Sequence, residues 1–110
     1  MSNSIVFTCT PAAGTEIEDA DQICAELLDA INQTRPDLRF IPGKSGAPAA
    51  MFAITRGNAR GLGLEATWID ADGVSTVGKP LSVTFFDRPS DPVTRSNFYA
   101  AFLRDNPIPF

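Results

Sequence analysis

Two cysteines, Cys9 and Cys24, have the most evident chemistry in this 110-residue sequence. They do not form a CxxC redox pair, and two thiols are too few to hold a structural zinc ion. A bond between them would close a loop of about 15 residues, which is worth about 3 kcal/mol of stability. Two interpretations remain open: a disulfide in an exported protein, or two separate buried thiols in a cytoplasmic one.

The sequence contains no histidine. This excludes Ser-His-Asp and Cys-His catalysis as well as zinc sites that need imidazole. Because no nucleophile, base and oxyanion donors converge, we expect a non-catalytic interaction or accessory domain with no cofactor or metal, whose partner is another protein. The alternative is a small-ligand or anion-binding protein, or an enzyme that uses carboxylates or a thiol.

Two short motifs match known sites only in part. Gly43-Lys44-Ser45 resembles the end of a phosphate-binding loop, but Leu38 occupies the position of the required first glycine. Residues 70–73 have the spacing of a calcium loop but lack its distal glutamate, so we interpret them as a turn. Neither motif predicts a ligand.

Charge is unevenly distributed along the chain. The net charge of −4 argues against a nucleic-acid partner, which would require clustered basic residues. Residues 1–34 contain only acidic charges, whereas the next stretch is rich in arginine. Arg39, Arg56 and Arg60 are therefore candidates for an anion-binding patch, with an ordinary solvated surface as the alternative.

The sequence also bears on the location of the protein. Its apolar runs are far shorter than the ~20 residues of a membrane span. Met1-Ser2-Asn3-Ser4 has neither the basic start nor the apolar stretch of a signal peptide. The chain is either cytoplasmic or the mature form of an exported protein, and the cysteine pair favours an extracytoplasmic location.

Apolar periodicity predicts two helices. Thr15 and Glu18 fit a capping box, and apolar residues then recur at three- and four-residue steps up to about Thr34. The second helix is expected to start at Ser90-Asp91-Pro92 and to end near Asp105-Asn106, before two prolines.

Period-two and β-branched runs predict the strands, and glycine-containing segments separate several of them. Gly57, Gly61 and Gly63 indicate a hairpin with a bulge, and the strand after Gly78-Lys79-Pro80 is expected to continue the one before it. The predicted strands are Ile5–Thr10, Leu38–Ile41, Ala50–Thr55, Leu62–Ile69, Val74–Val77 and Leu81–Phe86.

These elements predict a single α+β domain over residues 1–110. We expect a mostly antiparallel sheet of about four to six strands with both helices on one face, in the order β-α-β-β-β-(β)-α. The other sheet face and an exposed strand edge are then available to a partner, with a plainly solvated face as the alternative. The candidate interaction residues on that face are Thr8, Thr10, Thr67, Thr84 and Phe86.

Overall fold

The computed structural model describes residues 4–43, 46–58, 60–85 and 91–110. The predicted α+β class is confirmed. Phe86 and Ser90, which the sequence assigned to a strand face and a helix cap, lie outside the described residues. The elements are β1 Ser4–Pro11, α1 Ala20–Thr34, β2 Arg39–Pro42, β3 Ala49–Asn58, β4 Gly61–Ile69, β5 Ser75–Val77, β6 Leu81–Thr84 and α2 Pro92–Asp105.

The sheet is mixed, with the strand order β2-β1-β3-β4-β5 and with β6 also paired to β4. The predicted antiparallel pairing holds from β3 to β6, but β1 is parallel to both of its neighbours. The physical reason is the connection between β1 and β2, which contains α1. A helical connection returns the chain to the end of the sheet where it started and so allows parallel pairing.

The chain passes from one side of β1 to the other between Pro42 and Ala49. Pro42 of β2 pairs beside Phe7, and Ala49 of β3 pairs near the same level on the opposite side of β1. The connection passes close to the Val6 side chain, because a Cβ atom on Gly46 would lie 2.7 Å from it. Gly46 also has a φ of +149°, which other residues rarely adopt. A side chain at this position is therefore doubly unfavourable.

The core lies between one sheet face and both helices. Period-two spacing predicts that alternate strand residues face the core, and these residues are buried or pack against it: Ile5, Phe7, Leu64, Trp68, Leu81, Val83 and Phe85. α1 and α2 bury their apolar residues in the same cluster, so the prediction that both helices cover one face is confirmed. The fully buried large side chains include Ile5, Leu27, Ile31, Phe52, Ile54, Leu62, Leu64, Tyr99 and Phe102.

The two helix starts differ in how well the sequence predicted them. α1 begins at Ala20, so the prediction that a capping box at Thr15 starts this helix is wrong. The Thr15 N–H instead donates to the Ala12 carbonyl in a turn, and Ile17 packs against the core before the helix starts. For α2 the prediction is confirmed, because Asp91 accepts a 2.7 Å hydrogen bond from the Thr94 N–H.

β5 and β6 form one interrupted edge along β4, as the sequence predicted. The interruption at residues 78–80 is held by Asn106, which comes directly after α2 and is only 4% exposed. Its side chain accepts a 2.6 Å hydrogen bond from the Lys79 N–H and donates 3.0 Å bonds to the carbonyls of Lys79 and Phe102. The side chain therefore pairs with the backbone where the sheet ladder is broken.

Candidate interaction site

A groove of about 610 Å³ lies beside the second half of β1. Strand and helix residues form its walls, and Pro42 and Gly43 at the end of β2 also line it. Its surface is mostly apolar. The lining residues are Phe7, Thr8, Cys9, Thr10, Cys24, Ala25, Leu28, Pro42, Gly43 and Met51.

The groove exists because β2 covers only the first half of β1. The register of the two strands ends at Phe7 and Pro42, and the chain then crosses to the other side. Among the described residues, no strand pairs with residues 8–11 on this side. The segment therefore forms an open edge, with β3 on its other side.

Backbone hydrogen bonds establish which groups this edge presents. The Phe7 carbonyl accepts from the Gly43 N–H on the β2 side, whereas the Val6 N–H donates to the Pro48 carbonyl on the β3 side. Since successive residues of a strand address opposite sides, the N–H and C=O of Cys9 point toward the groove. Pro11 adds a carbonyl but has no N–H to donate.

A disulfide joins Cys9 on β1 to Cys24 on α1, with the two Cα atoms 5.7 Å apart. Both cysteines are half-buried, and both line the groove. The bond holds the helical wall of the groove to its strand wall. It also occupies both cysteines of the chain, so the alternative of an enzyme with a reactive thiol has no free thiol in this structure.

The candidate interaction residues Thr8, Thr10 and Thr67 lie on the helix-free face, and Thr84 shares it on β6. The register places Thr8, Met51, Thr67 and Val77 in one row across four strands. Met51 is 41% exposed and Val77 is 75% exposed. Ile41 of β2 is 42% exposed on the same face, which therefore combines threonines with exposed aliphatic side chains.

The structure separates the three arginines of the candidate anion patch. Arg39 pairs beside Ser4, whereas Arg56 lies past the level of Pro11, at least about 23 Å further along the strand direction at ~3.3 Å per residue. Arg60 is exposed in the hairpin near Arg56. The three side chains therefore do not form one patch.

Arg56 lies flat on the helix-free face because β4 has glycines beneath it. A side chain at Gly61 would overlap the Arg56 guanidinium, and one at Gly63 would meet Thr55. Arg56 donates a 2.8 Å hydrogen bond to the Thr84 hydroxyl on β6. The register shift between Ile54 and Arg56 confirms the predicted bulge, which directs this side chain across the strand.

One polar cluster connects the two helices. Arg95 donates two hydrogen bonds of 2.7 and 2.8 Å to the Glu26 carboxylate, and the Tyr99 hydroxyl donates a third of 2.8 Å. Burial alone would raise the pKa of Glu26, but the bonds from Arg95 and Tyr99 outweigh it and lower this pKa. Burial, together with the bond to Glu26, raises the pKa of Tyr99. All three groups are engaged with one another, so the cluster serves to tie the helices together.

The Asp70 carboxylate forms hydrogen bonds within and next to the predicted turn at residues 70–73. Asp70 accepts 2.9 Å hydrogen bonds from the N–H groups of Asp72 and Val74. Within the described ranges, no group of three or more histidine, cysteine or acidic residues could hold a metal ion. No helix in that part of the chain is both long and apolar enough to cross a membrane.

Several residues of the groove were not predicted as site residues. Leu28 belongs to the apolar residues of α1 that recur at three- and four-residue steps, and Ala25 lies beside them on the helix. Pro42 is the last residue of β2, and Gly43 follows it. They meet only because β1 is parallel to β2 and the chain then changes sides. The apolar pattern contains no signal for that change.

No protein-family model and no curated protein matches the sequence. Several solved structures resemble the fold, among them the following two. The PelC L103M dodecamer from Paraburkholderia phytofirmans has a TM-score of 0.71 and 9% identity, over 93% of this chain and 84% of PelC. A crystal structure of an uncharacterized protein has a TM-score of 0.53 and 11% identity, over 96% of this chain and 94% of the other. At these identities, the resemblance shows the fold alone.

Proposed function

We propose that this chain is a non-catalytic interaction domain that associates with further copies of itself through its helix-free sheet face. The observation that carries the proposal is the row of side chains on that face in which the exposed Met51 and Val77 alternate with the half-buried Thr8 and Thr67. Removing exposed apolar surface from water favours association, and neighbouring threonines can form hydrogen bonds across an interface.

Two further observations support this proposal. The chain has no histidine, and its two cysteines are paired, so catalysis that needs an imidazole base or a free thiol has no residue to perform it. The PelC structure that shares the fold is described as a dodecamer. We infer by analogy that an architecture of this kind is compatible with assembly from identical chains.

We also propose that the protein works outside the cytoplasm. The disulfide between Cys9 and Cys24 supports this location, because such bonds persist in oxidising compartments and are rare in the reducing cytosol. Protein from its native cell, alkylated at lysis under denaturing, non-reducing conditions, should take up no alkylating group. Uptake of two groups would contradict an extracytoplasmic location.

Sedimentation equilibrium tests the proposed assembly. The wild-type chain, with a mass of 11.8 kDa, should show an average mass that increases with concentration. Val77→Lys should shift the protein toward the monomer, because it places a charge in the proposed interface, at the β5 end of the row. Val93→Lys is the matched control, since Val93 is similarly exposed at 71% but lies on α2.

A wild-type protein that stays monomeric at its highest attainable concentration would exclude self-association through this face. Equal effects of the two lysine substitutions would also count against it, because Val93 is not on the sheet. Thermal unfolding of both variants checks that the fold is retained. Each substitution at these exposed positions should change the free energy of unfolding by less than about 0.5 kcal/mol.

A further inference from the structure

We propose that the open edge of β1 and the groove beside it bind an extended segment of a different protein, one in which apolar side chains alternate and at least one lysine or arginine is present. This site borders the helix-free face and shares Thr8 and Met51 with it, but it does not require self-association. The bound segment would continue the line of β2 along residues 8–11.

The backbone of β1 provides the first part of the argument. Cys9 directs both its N–H and its C=O toward the groove, and Pro11 adds a carbonyl acceptor. An incoming strand can satisfy these groups by the same pairing that β2 uses up to Phe7. Residues 8–11 span about 13 Å at ~3.3 Å per residue, so a short extended segment suffices.

The groove provides the second part. Its α1 wall presents Ala25 and Leu28, and the disulfide lies between this wall and β1. A strand added to the edge directs alternate side chains toward this wall and toward the helix-free face. One or two aliphatic side chains would therefore enter the groove, while those between them lie near Thr8 and Thr10.

Charge determines which extended segment fits. Asp21 and Asp29 are exposed on α1, four residues before and after Ala25, and thus lie on the same side of the helix as this groove residue. Neither belongs to an ion pair of the described residues. Residues 1–34, which provide both β1 and α1, contain no basic side chain. A basic side chain on the incoming strand is therefore favoured and an acidic one is disfavoured.

The proposal is tested by selecting peptides from a displayed library of random octapeptides, with the full-length, disulfide-bonded chain as bait. The enriched peptides should show apolar residues at every second position and contain lysine or arginine. Ala25→Arg should reduce the affinity of a selected peptide by about tenfold or more, because a long cationic side chain then occupies the groove. Ala100→Arg is the matched control, an exposed alanine on α2, and should retain wild-type affinity.

A second measurement establishes the mode of binding. Amide hydrogen exchange of the chain with a selected synthetic peptide should show slower exchange at the Cys9 N–H, which acquires a partner only by strand pairing. Exchanging Asp21 and Asp29 for asparagine should weaken binding and reduce its dependence on salt concentration. Both substitutions keep a polar residue on the exposed helix surface.

Three outcomes would overturn the proposal: no peptide enriched over the Ala25→Arg bait, enrichment of acidic or helically patterned sequences, or binding that leaves Cys9 exchange unchanged. The last outcome would indicate an apolar pocket rather than an edge that accepts a strand. These results are independent of the sedimentation experiment, because a monomeric protein can still bind the peptide. Val77→Lys should leave peptide affinity unchanged, which separates the two surfaces.

Discussion

At one edge of the sheet, β2 pairs with β1 only up to Phe7. At the opposite edge, β5 and β6 together pair with most of β4. Both edges are interrupted, but different structures lie at the two interruptions. Beyond Phe7 there is an apolar groove. At Lys79 there is the buried side chain of Asn106, which bonds to both backbone groups of that residue.

The difference shows how a small sheet can close one edge and keep the other available. Unpaired strand edges are sites of adventitious pairing, and a short broken strand prevents it. On the β4 side, the break is stabilised from within by α2. On the β1 side, the disulfide fixes α1 beside an edge whose backbone remains free for a partner. The β1 edge is therefore suited to binding, and the β4 edge to stability.

The largest expected effect concerns the covalent link at the β1 edge. Replacing both Cys9 and Cys24 by alanine should lower the free energy of unfolding by about 3 kcal/mol, because the unfolded chain is no longer restricted by a loop of about 15 residues. Urea denaturation measures the change. Reductant should destabilise the wild type by a similar amount and leave the double variant unaffected. A loss below about 1 kcal/mol would show that the bond does not organise this edge.

Asn106 is the corresponding test at the β4 edge. Asn106→Ala removes three side-chain hydrogen bonds and leaves the N–H and C=O of Lys79 without their Asn106 partner, at a cost of about 2 kcal/mol. The Phe102 carbonyl keeps the bond from the backbone N–H of residue 106. Asp105→Ala is a control at the preceding, exposed position and should have little effect. Equal stabilities of the two variants in urea denaturation would contradict the role assigned to Asn106.

A substitution at Gly46, where the connection between β2 and β3 lies close to Val6, is expected to cost less stability. Gly46→Ala should destabilise the protein by about 1 to 2 kcal/mol, because Gly46 has a positive φ and its new methyl group would meet Val6. Gly73→Ala is a useful control, since Gly73 also has a positive φ but has open space around its missing side chain. The difference between the two variants in urea denaturation isolates the contact with Val6. No difference would show that the crossover tolerates a side chain.

Much of the fold could be predicted because it depends on local patterns. The alternation of Ile5 and Phe7 identifies a half-buried strand, and Asp91 followed by Pro92 identifies a helix start. The parallel pairing of β1 could not be predicted, because the pattern of a strand is the same in both directions. The predicted start of α1 was wrong because the Thr15 backbone N–H bonds within a turn. Threonine is compatible with a turn as well as with a helix cap, so the residue type does not distinguish the two.

The candidate site was less accessible to prediction. Threonines on alternate positions indicated the helix-free face, since the side chains of a strand alternate. The groove depends instead on where β2 ends relative to β1. The Asn106 side chain bonds to Lys79, which lies 27 positions away in the chain. Such contacts between distant segments leave no periodic signal. The dispersal of Arg39, Arg56 and Arg60 illustrates the same limit, because nearness in sequence did not produce one patch.

The smallest expected effect concerns the helix layer that supports both edges. The folded protein lowers the pKa of Glu26 below its ordinary value of 4.5, so its contribution to stability is present above this pH and is lost as the pH falls through the lower value. Glu26→Gln should therefore show a smaller loss of stability on acidification than the wild type. Glu16→Gln, at an exposed position, provides the control. Identical acid transitions of the wild type and Glu26→Gln would contradict this contribution.

The comparison of the two edges is tested most directly by native-state amide exchange of the dilute, monomeric protein. The Cys9 N–H should exchange rapidly although it lies within a strand, whereas the Lys79 N–H should be protected although it lies in an exposed break, because Asn106 accepts its hydrogen. Thr8 and Thr10, which address β3, provide protected references on the same strand. Slow exchange at Cys9 together with rapid exchange at Lys79 would contradict the assignment of one open and one closed edge.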